Sequence, residues 1–450
     1  MGRLNLFFRL KERGTDIRTE ITAGTSTFLT MSYIIFVQPA VLSAVGMDFG
    51  SVMVATCISS AIGSILMGIL ANYPIALAPA MGHNFFFAFT VCGAVAVGGM
   101  GLSWQQALAA NFISGVLLLV LCLVGAVDYI IRAVPNCLRH GIAVGIGLLI
   151  ALLGLEWGGI VVGAPGTLVG MGRVGSPPAL LTIFGTFLIA ALMIRKIKGA
   201  ILAGILVCAA LALAFGMAEF KGIAGAPPSI RPTLFQFDFS GLLSHAQFWM
   251  VIATFLFLDL FDTIGTLVGV GAKAGLVDRE GRMPQGQRAI GADAGATVVG
   301  TMLGTSTITS YIESAAGVAA GGRTGLTAMT SGALFLLAVF FAPLAQTIGG
   351  GYESAPGVRL YPVIAPALIV VGSLMFSLAR EIDWAEPADA FSAYLTIIII
   401  PLTVSITEGI AAGFISYSLL KTVKGDFWKI SPLVHVLAAL FLLRYAFLMG

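Results

Sequence analysis

The sequence predicts an all-α polytopic membrane protein, built as fourteen segments in two inverted repeats of seven. Three observations carry this prediction. The 450 residues are 58% hydrophobic and only 10% charged, with a mean hydropathy of +1.00, whereas soluble domains carry roughly 25% charged residues. No Asp, Glu, Lys or Arg occurs between Phe49 and Val127. The apolar runs are continuous rather than alternating, as membrane helices require and barrel strands would not.

The first twenty residues, MGRLNLFFRLKERGTDIRTE, are basic and mixed. They read as a cytoplasmic segment with a short interfacial helix, not as a signal peptide. Apolar runs at 21–45, 51–71, 75–97, 104–126, 136–155, 178–195 and 200–217 form segments one to seven. A proline- and charge-rich loop, 218–246, follows. Runs at 247–272, 288–303, 304–321, 325–344, 359–379, 387–404 and 405–423 form segments eight to fourteen. The apolar stretch 431–448, inside a C-terminal region of 424–450, either spans or lies along the surface.

Charge tests this count. With the amino terminus in the cytoplasm, 19 of the 24 basic residues fall on the cytoplasmic side, as the positive-inside rule demands. Arg132, Arg139, Arg279, Arg282 and Arg323 are among them. The exceptions are Arg173, Lys221, Arg231, Arg359 and Arg444. Seven segments per half make the second half inverted relative to the first, the plan of many secondary transporters.

Segments three and ten read as broken. Segment three opens with Pro74 and Pro79, and segment ten with the run Gly304 to Ser310. Proline lacks an N–H, and β-branched threonine favours extended backbone. Each segment therefore reads as a short strand followed by a half-helix, whose amino end carries free N–H groups near the membrane centre. Glycine-rich helix packing is the competing reading. The polar residues at the breaks, His83, Asn84 and Glu313, favour the first.

Asp259, Asp262 and Glu313 lie deepest in the apolar spans. Each would cost about 2.5–3.5 kcal/mol at a helix centre, so each should bind something, pair, or line a wet cavity. Burial disfavours the charged carboxylate, which suits proton loading near neutral pH. Asp259 and Asp262, three apart, should share a helix face. A satisfied histidine is the competing reading of His83, and a packing hydrogen bond that of Asn84. Thr263, Thr266, Thr305, Ser306, Thr307 and Thr309 could line the same polar cavity. Glu408 and Asp293 lie nearer the span ends and read as structural.

A net charge of +3 gives no argument for a nucleic-acid partner. The five cysteines are scattered and read as filler rather than metal ligands. The glycine patch from Gly98 to Gly101 is too short a phosphate motif to separate from loop. No nucleophile cluster suggests an enzyme, and no cofactor beyond a coupling ion is implied.

Five stretches resemble the nucleobase:cation symporter-2 family, specifically its adenine/guanine/hypoxanthine permeases. They are ITAGTSTFLTMSYIIFVQPAVLSAVGMD, ALAPAMGHNFFFAF, FLDLFDTIGTLVGV, ADAGATVVGTMLGTSTITSYIESAAGVAAGGRTGLTAM and EGIAAGFISYSLLKTV. The resemblance implies a uracil-permease-like fold. Segments 1–4 (21–126) and 8–11 (247–344) would make a core domain, and segments 5–7 (127–217) and 12–14 (345–423) a gate domain. It implies purine import by cation symport, with the proton as the expected ion, in a multi-pass cell membrane protein. Asn84, Asp259 and Glu313 would bind the base, joined by His83, Thr307 and Thr309. Asp262 and Glu313 would couple the proton. Homodimer formation is a further expectation by analogy. The chain departs from the family pattern at Gln38, Ala80, His83 and Phe85. An anion transporter of the sulfate-transporter type is the alternative on the same architecture, although the three carboxylates would repel an anion unless protonated.

Overall fold

The computed structural model describes residues 2–95, 99–127, 133–164, 166–240, 246–276, 283–356 and 358–448. Gly98, Arg132, Arg279 and Arg282 lie outside them. The first half runs α1 (Gly2–Phe8), α2 (Ile17–Met31), α3 (Ile34–Ser43) and α4 (Phe49–Leu66), then β1 (Leu77–Pro79) and α5 (Met81–Phe85), which continues as a π-helix over Phe86–Val91. It is completed by α6 (Trp104–Leu123), α7 (Asn136–Trp157), the hairpin β2 (Val161–Ala164) and β3 (Thr167–Met171), α8 (Pro177–Ile194) and α9 (Ala200–Ala214).

The second half repeats the order. It runs α10 (Ala246–Lys273), α11 (Gly286–Leu303), β4 (Ile308–Ser310), α12 (Ser314–Ala319), α13 (Gly325–Ala338) and α14 (Ala342–Gly349). The hairpin β5 (Tyr352–Ala355) and β6 (Val358–Leu360) leads to α15 (Ala365–Phe376), α16 (Pro387–Thr403) and α17 (Ile406–Val423), and α18 (Pro432–Leu448) closes the chain. Seven helical stretches among the described residues are long and apolar enough to cross a bilayer, and three shorter apolar helices add to them. Leu123, Phe187 and Leu337 point outward, 58–77% exposed, as lipid-facing side chains do. The protein is a multi-pass membrane protein.

Segments three and ten are strand then half-helix, as the sequence predicts, and the two strands pair with each other. β1 and β4 run antiparallel, with Leu77 opposite Ser310, Ala78 opposite Thr309 and Pro79 opposite Ile308. Ala80 N donates to the Thr307 carbonyl at 2.9 Å, and Tyr311 N to that of Ala76 at 3.0 Å. Side chains satisfy the outer edge. Ser64 Oγ accepts from Leu77 N at 2.9 Å, and Ser314 Oγ from Ala76 N at 3.0 Å. Extended backbone survives in a membrane only when every polar group is met in this way.

Two packing groups follow from the contacts. In one, α2 and α4 lie against α13, while α11 packs on α4 and α6, and α10 on α6. In the other, α7 packs on α15, α16 and α17, and α8 on α9 and α15. They meet where α5 touches α7: a Cβ on Gly82 would stand 2.6 Å from Ile146 Cγ2. At the amino-terminal face, buried Glu20 accepts from Arg323 N at 2.9 Å and Thr327 Oγ1 at 2.5 Å, tying α2 to the start of α13.

The C-terminal stretch packs antiparallel along α17. Ser418 Oγ lies 2.8 Å from His435 Nδ1, and Arg444 Nη2 donates to Glu408 Oε1 at 2.6 Å. Tyr445 Oη also donates to Glu408. The ten residues from Glu408 to Ser418 cover about 15 Å of helix, so α18 follows α17 through the same depth rather than lying across its end.

Gly304 ends α11 with φ +94°, and a Cβ there would stand 2.2 Å from Thr233 Cβ. Gly304→Ala should therefore destabilise the turn into β4 by about 1–3 kcal/mol. A lower melting temperature of the detergent-purified protein measures this; an unchanged melting temperature would contradict it.

Candidate functional site

The β1–β4 crossing gathers the polar residues of four segments. Asn84, in the first turns of α5, accepts through Oδ1 from Ser306 Oγ. Its Nδ2 has no partner among the described residues. His83 is 1% exposed, and neither of its ring nitrogens has a partner among the described residues. Gln38 in α3 donates to Thr305 Oγ1 at 2.9 Å and Ser306 Oγ at 3.1 Å, leaving its Oε1 free. Thr307 Oγ1 donates to Asn111 Oδ1 at 2.8 Å, and Asn111 Nδ2 is free. Unpartnered buried polar atoms are costly and uncommon. Six of the fifteen found among the described residues, those of Gln38, His83, Asn84, Asn111 and Asp259, lie around this one crossing.

The acids divide into two sets. Asp259 is 1% exposed and accepts from Thr297 Oγ1 at 3.2 Å. Its carboxyl also lies within electrostatic range of Asp293. Asp293 is fully buried and accepts from Thr263 Oγ1 at 2.7 Å and Ser310 Oγ at 2.9 Å. Thr263 Oγ1 also lies 2.8 Å from Thr309 Oγ1. Asp262 is half-buried, within electrostatic range of Glu313 and Asp293. Glu313, just before α12 and half-buried, accepts from Tyr33 Oη at 2.7 Å.

One sequence reading changes. Asp293 is not a residue of the span end; it sits at the centre of the hydroxyl network beneath β4. Asp259 accepts from Thr297 of α11, and Asp262 lies within electrostatic range of both Asp293 and Glu313. Thr307 and Thr309 already make hydroxyl bonds, to Asn111 and Thr263. Asn111 and Tyr33 were not singled out. The signals were an asparagine in the middle of the apolar α6 and a tyrosine at the break between α2 and α3. Glu408 pairs with Arg444 and Tyr445, away from the crossing. Thr266 is buried on α10 one turn beyond Asp262.

With this geometry in hand, the family model named Xan_ur_permease, described as a permease family, matches residues 18–412. The chain belongs to this permease family. It is a transporter, not an enzyme. Adenine permease AdeP of Escherichia coli K12 is 43% identical over 99% of this chain and 97% of its own length. Guanine/hypoxanthine permease PbuG of Bacillus subtilis is 43% identical over 99% of this chain and 100% of its own, and PbuO of the same organism 41% over 97% and 99%. Among solved structures, the transmembrane domain of the cyanobacterial bicarbonate transporter BicA superposes with a TM-score of 0.62 at 14% identity, over 88% of this chain and 96% of that one. Murine Slc26a9 gives 0.59 at 12% identity, over 90% and 68%. These two show that the permease has the fold expected of it, and nothing about its cargo.

The Asp293 network gives a test by coupling. Thr263→Val and Ser310→Ala each remove one donor from a buried carboxyl and should each cost about 1–3 kcal/mol. Because both act on one acceptor, the double variant should depart from additivity by more than about 0.5 kcal/mol. Thermal unfolding of the four proteins measures the cycle, and strict additivity would show that no network exists.

Proposed function

We propose that the permease imports purine nucleobases by proton symport, with the amino terminus in the cytoplasm. The observation that carries this is full-length identity of 41–44% to permeases named for adenine, guanine and hypoxanthine. Neither relative type is favoured by identity, so the proposal covers the purine class. The anion transporters share the fold at 14% identity or less and lend no support to an anionic cargo.

A planar purine presents N–H donors and ring-nitrogen acceptors on one edge. In this proposal, the carboxyls of Asp259 and Glu313 accept its N–H groups. The free Nδ2 of Asn84 and the uncapped first amides of α5 donate to its ring nitrogens, where the helix dipole favours electron-rich atoms. The amides at the start of α12 already donate to Tyr311, Ile312 and Glu313 carbonyls, so the first half-helix supplies this function alone. His83 stands beside Asn84 with both nitrogens available.

The proton belongs to the acids in this reading. Asp262 and Glu313 exchange it on loading, with Asp259 and Asp293 close by. The α2–α6 and α10–α14 group would be the moving core, and α7–α9 with α15–α17 the gate. The Gly82–Ile146 approach would be the surface along which they slide. Movement of one group past the other would expose the crossing to each side in turn.

Glu313→Gln should reduce radiolabelled hypoxanthine or adenine uptake by at least a hundredfold while membrane expression persists. Uptake within a few-fold of wild type would remove Glu313 from the site. Accumulation should also collapse when a protonophore dissipates the proton gradient. Accumulation that survives the protonophore and follows sodium would replace the proton by sodium.

A further inference from the structure

A cavity of about 690 Å³ lies between the two packing groups on the face opposite the amino terminus. One wall comes from the end of α3, from residues 88–94 and from the start of α6; the other from the ends of α7 and α16. Its volume falls within the range of small-molecule sites, about 300–1,000 Å³. It is not lined by Asp259, Asp262 or Glu313. Phe85, itself 1% exposed, lies behind its wall, stacked on Phe89 at 5.9 Å and edge-on to Trp157 at 6.1 Å. Trp157 in turn meets Tyr361 at 4.5 Å. Thr90 Oγ1 bridges the groups by donating to the Val404 carbonyl at 3.2 Å. Val404 holds φ +50° to present that carbonyl, a strain found where backbone serves a site.

The lining has the chemistry of a base-binding surface. Phe89, Trp104 and Trp157 line it, and aromatic rings stack planar heterocycles with little regard to their substituents. Glu156 opens onto the cavity with no hydrogen-bond or ion-pair partner among the described residues. A carboxylate there would accept the N–H groups of a heterocycle. We infer that this cavity is a second, outer binding site for the transported nucleobase, which stacks on Trp104 and Trp157 and donates to Glu156 before the Phe85–Trp157 contact parts to admit it. This rests on the purine-permease reading.

The test uses the full-length protein in lipid nanodiscs and in cells, with hypoxanthine and adenine as probes. Glu156→Gln should raise the KM for uptake about tenfold with kcat changed less than twofold, and Glu156→Asp should restore most of the loss. In Glu313→Gln protein, equilibrium dialysis should still detect saturable, weaker base binding, and adding Glu156→Gln or Trp157→Leu should remove it. An unchanged KM in Glu156→Gln, or residual binding indifferent to Glu156 and Trp157, overturns the outer site while leaving purine transport intact. A wild-type protein that takes up no purine overturns the underlying reading and this one with it. Size-exclusion profiles of the variants separate loss of binding from loss of fold.

Discussion

The antiparallel contact between β1 and β4 is the constraint on which the permease is built. Two segments leave the helical state within the membrane, and each exposes backbone groups that lipid cannot satisfy. Neither strand could stay extended alone. Together they satisfy one edge of each, and Ser64, Thr297 and Ser314 complete the other. The arrangement forces helices far apart in sequence to meet at one place. It also starts α5 with no side-chain cap and so keeps its first amides available.

The polar residues of the bundle follow from that crossing. Gln38, Asn84, Asn111, Thr263, Asp293 and Ser310 come from six different segments, and each reaches the crossing or a residue that does. A hydroxyl carries one proton and must choose among acceptors. Thr263 lies against both Asp293 and Thr309, and Thr297 against both Asp259 and the Ile308 carbonyl. A change at one acid is therefore felt along the network, the kind of coupling that links a proton to a neighbouring ligand.

The same crossing separates two compartments of different chemistry. Around it the free atoms are carboxylate oxygens, amide nitrogens and imidazole nitrogens. Beyond Phe85 the cavity offers mainly aromatic faces and one open carboxylate. Stacking tolerates many bases, whereas directed hydrogen bonds discriminate among them. An entry surface of the first kind leading to a site of the second admits cargo broadly and selects it late.

Composition and patterning alone determined the membrane setting, the segment order, the two breaks and the acidic residues at Asp259, Asp262 and Glu313. These are local properties: apolar run length, helix-breaking residues and the cost of a charge in lipid act on neighbours in the chain. The five quoted stretches likewise sufficed for the family. Tertiary structure alone decided who meets whom. Asp293 looked peripheral because it lies only seven residues into α11, about 10 Å along the helix. Its burial depends on Thr263, thirty residues earlier, and on β4 folding back over it. The pairing of Asn84 with Ser306 spans 222 positions. The course of α18 depends on the Glu408–Arg444 bond. Such contacts are set by packing between segments, and no rule acting along the chain encodes them.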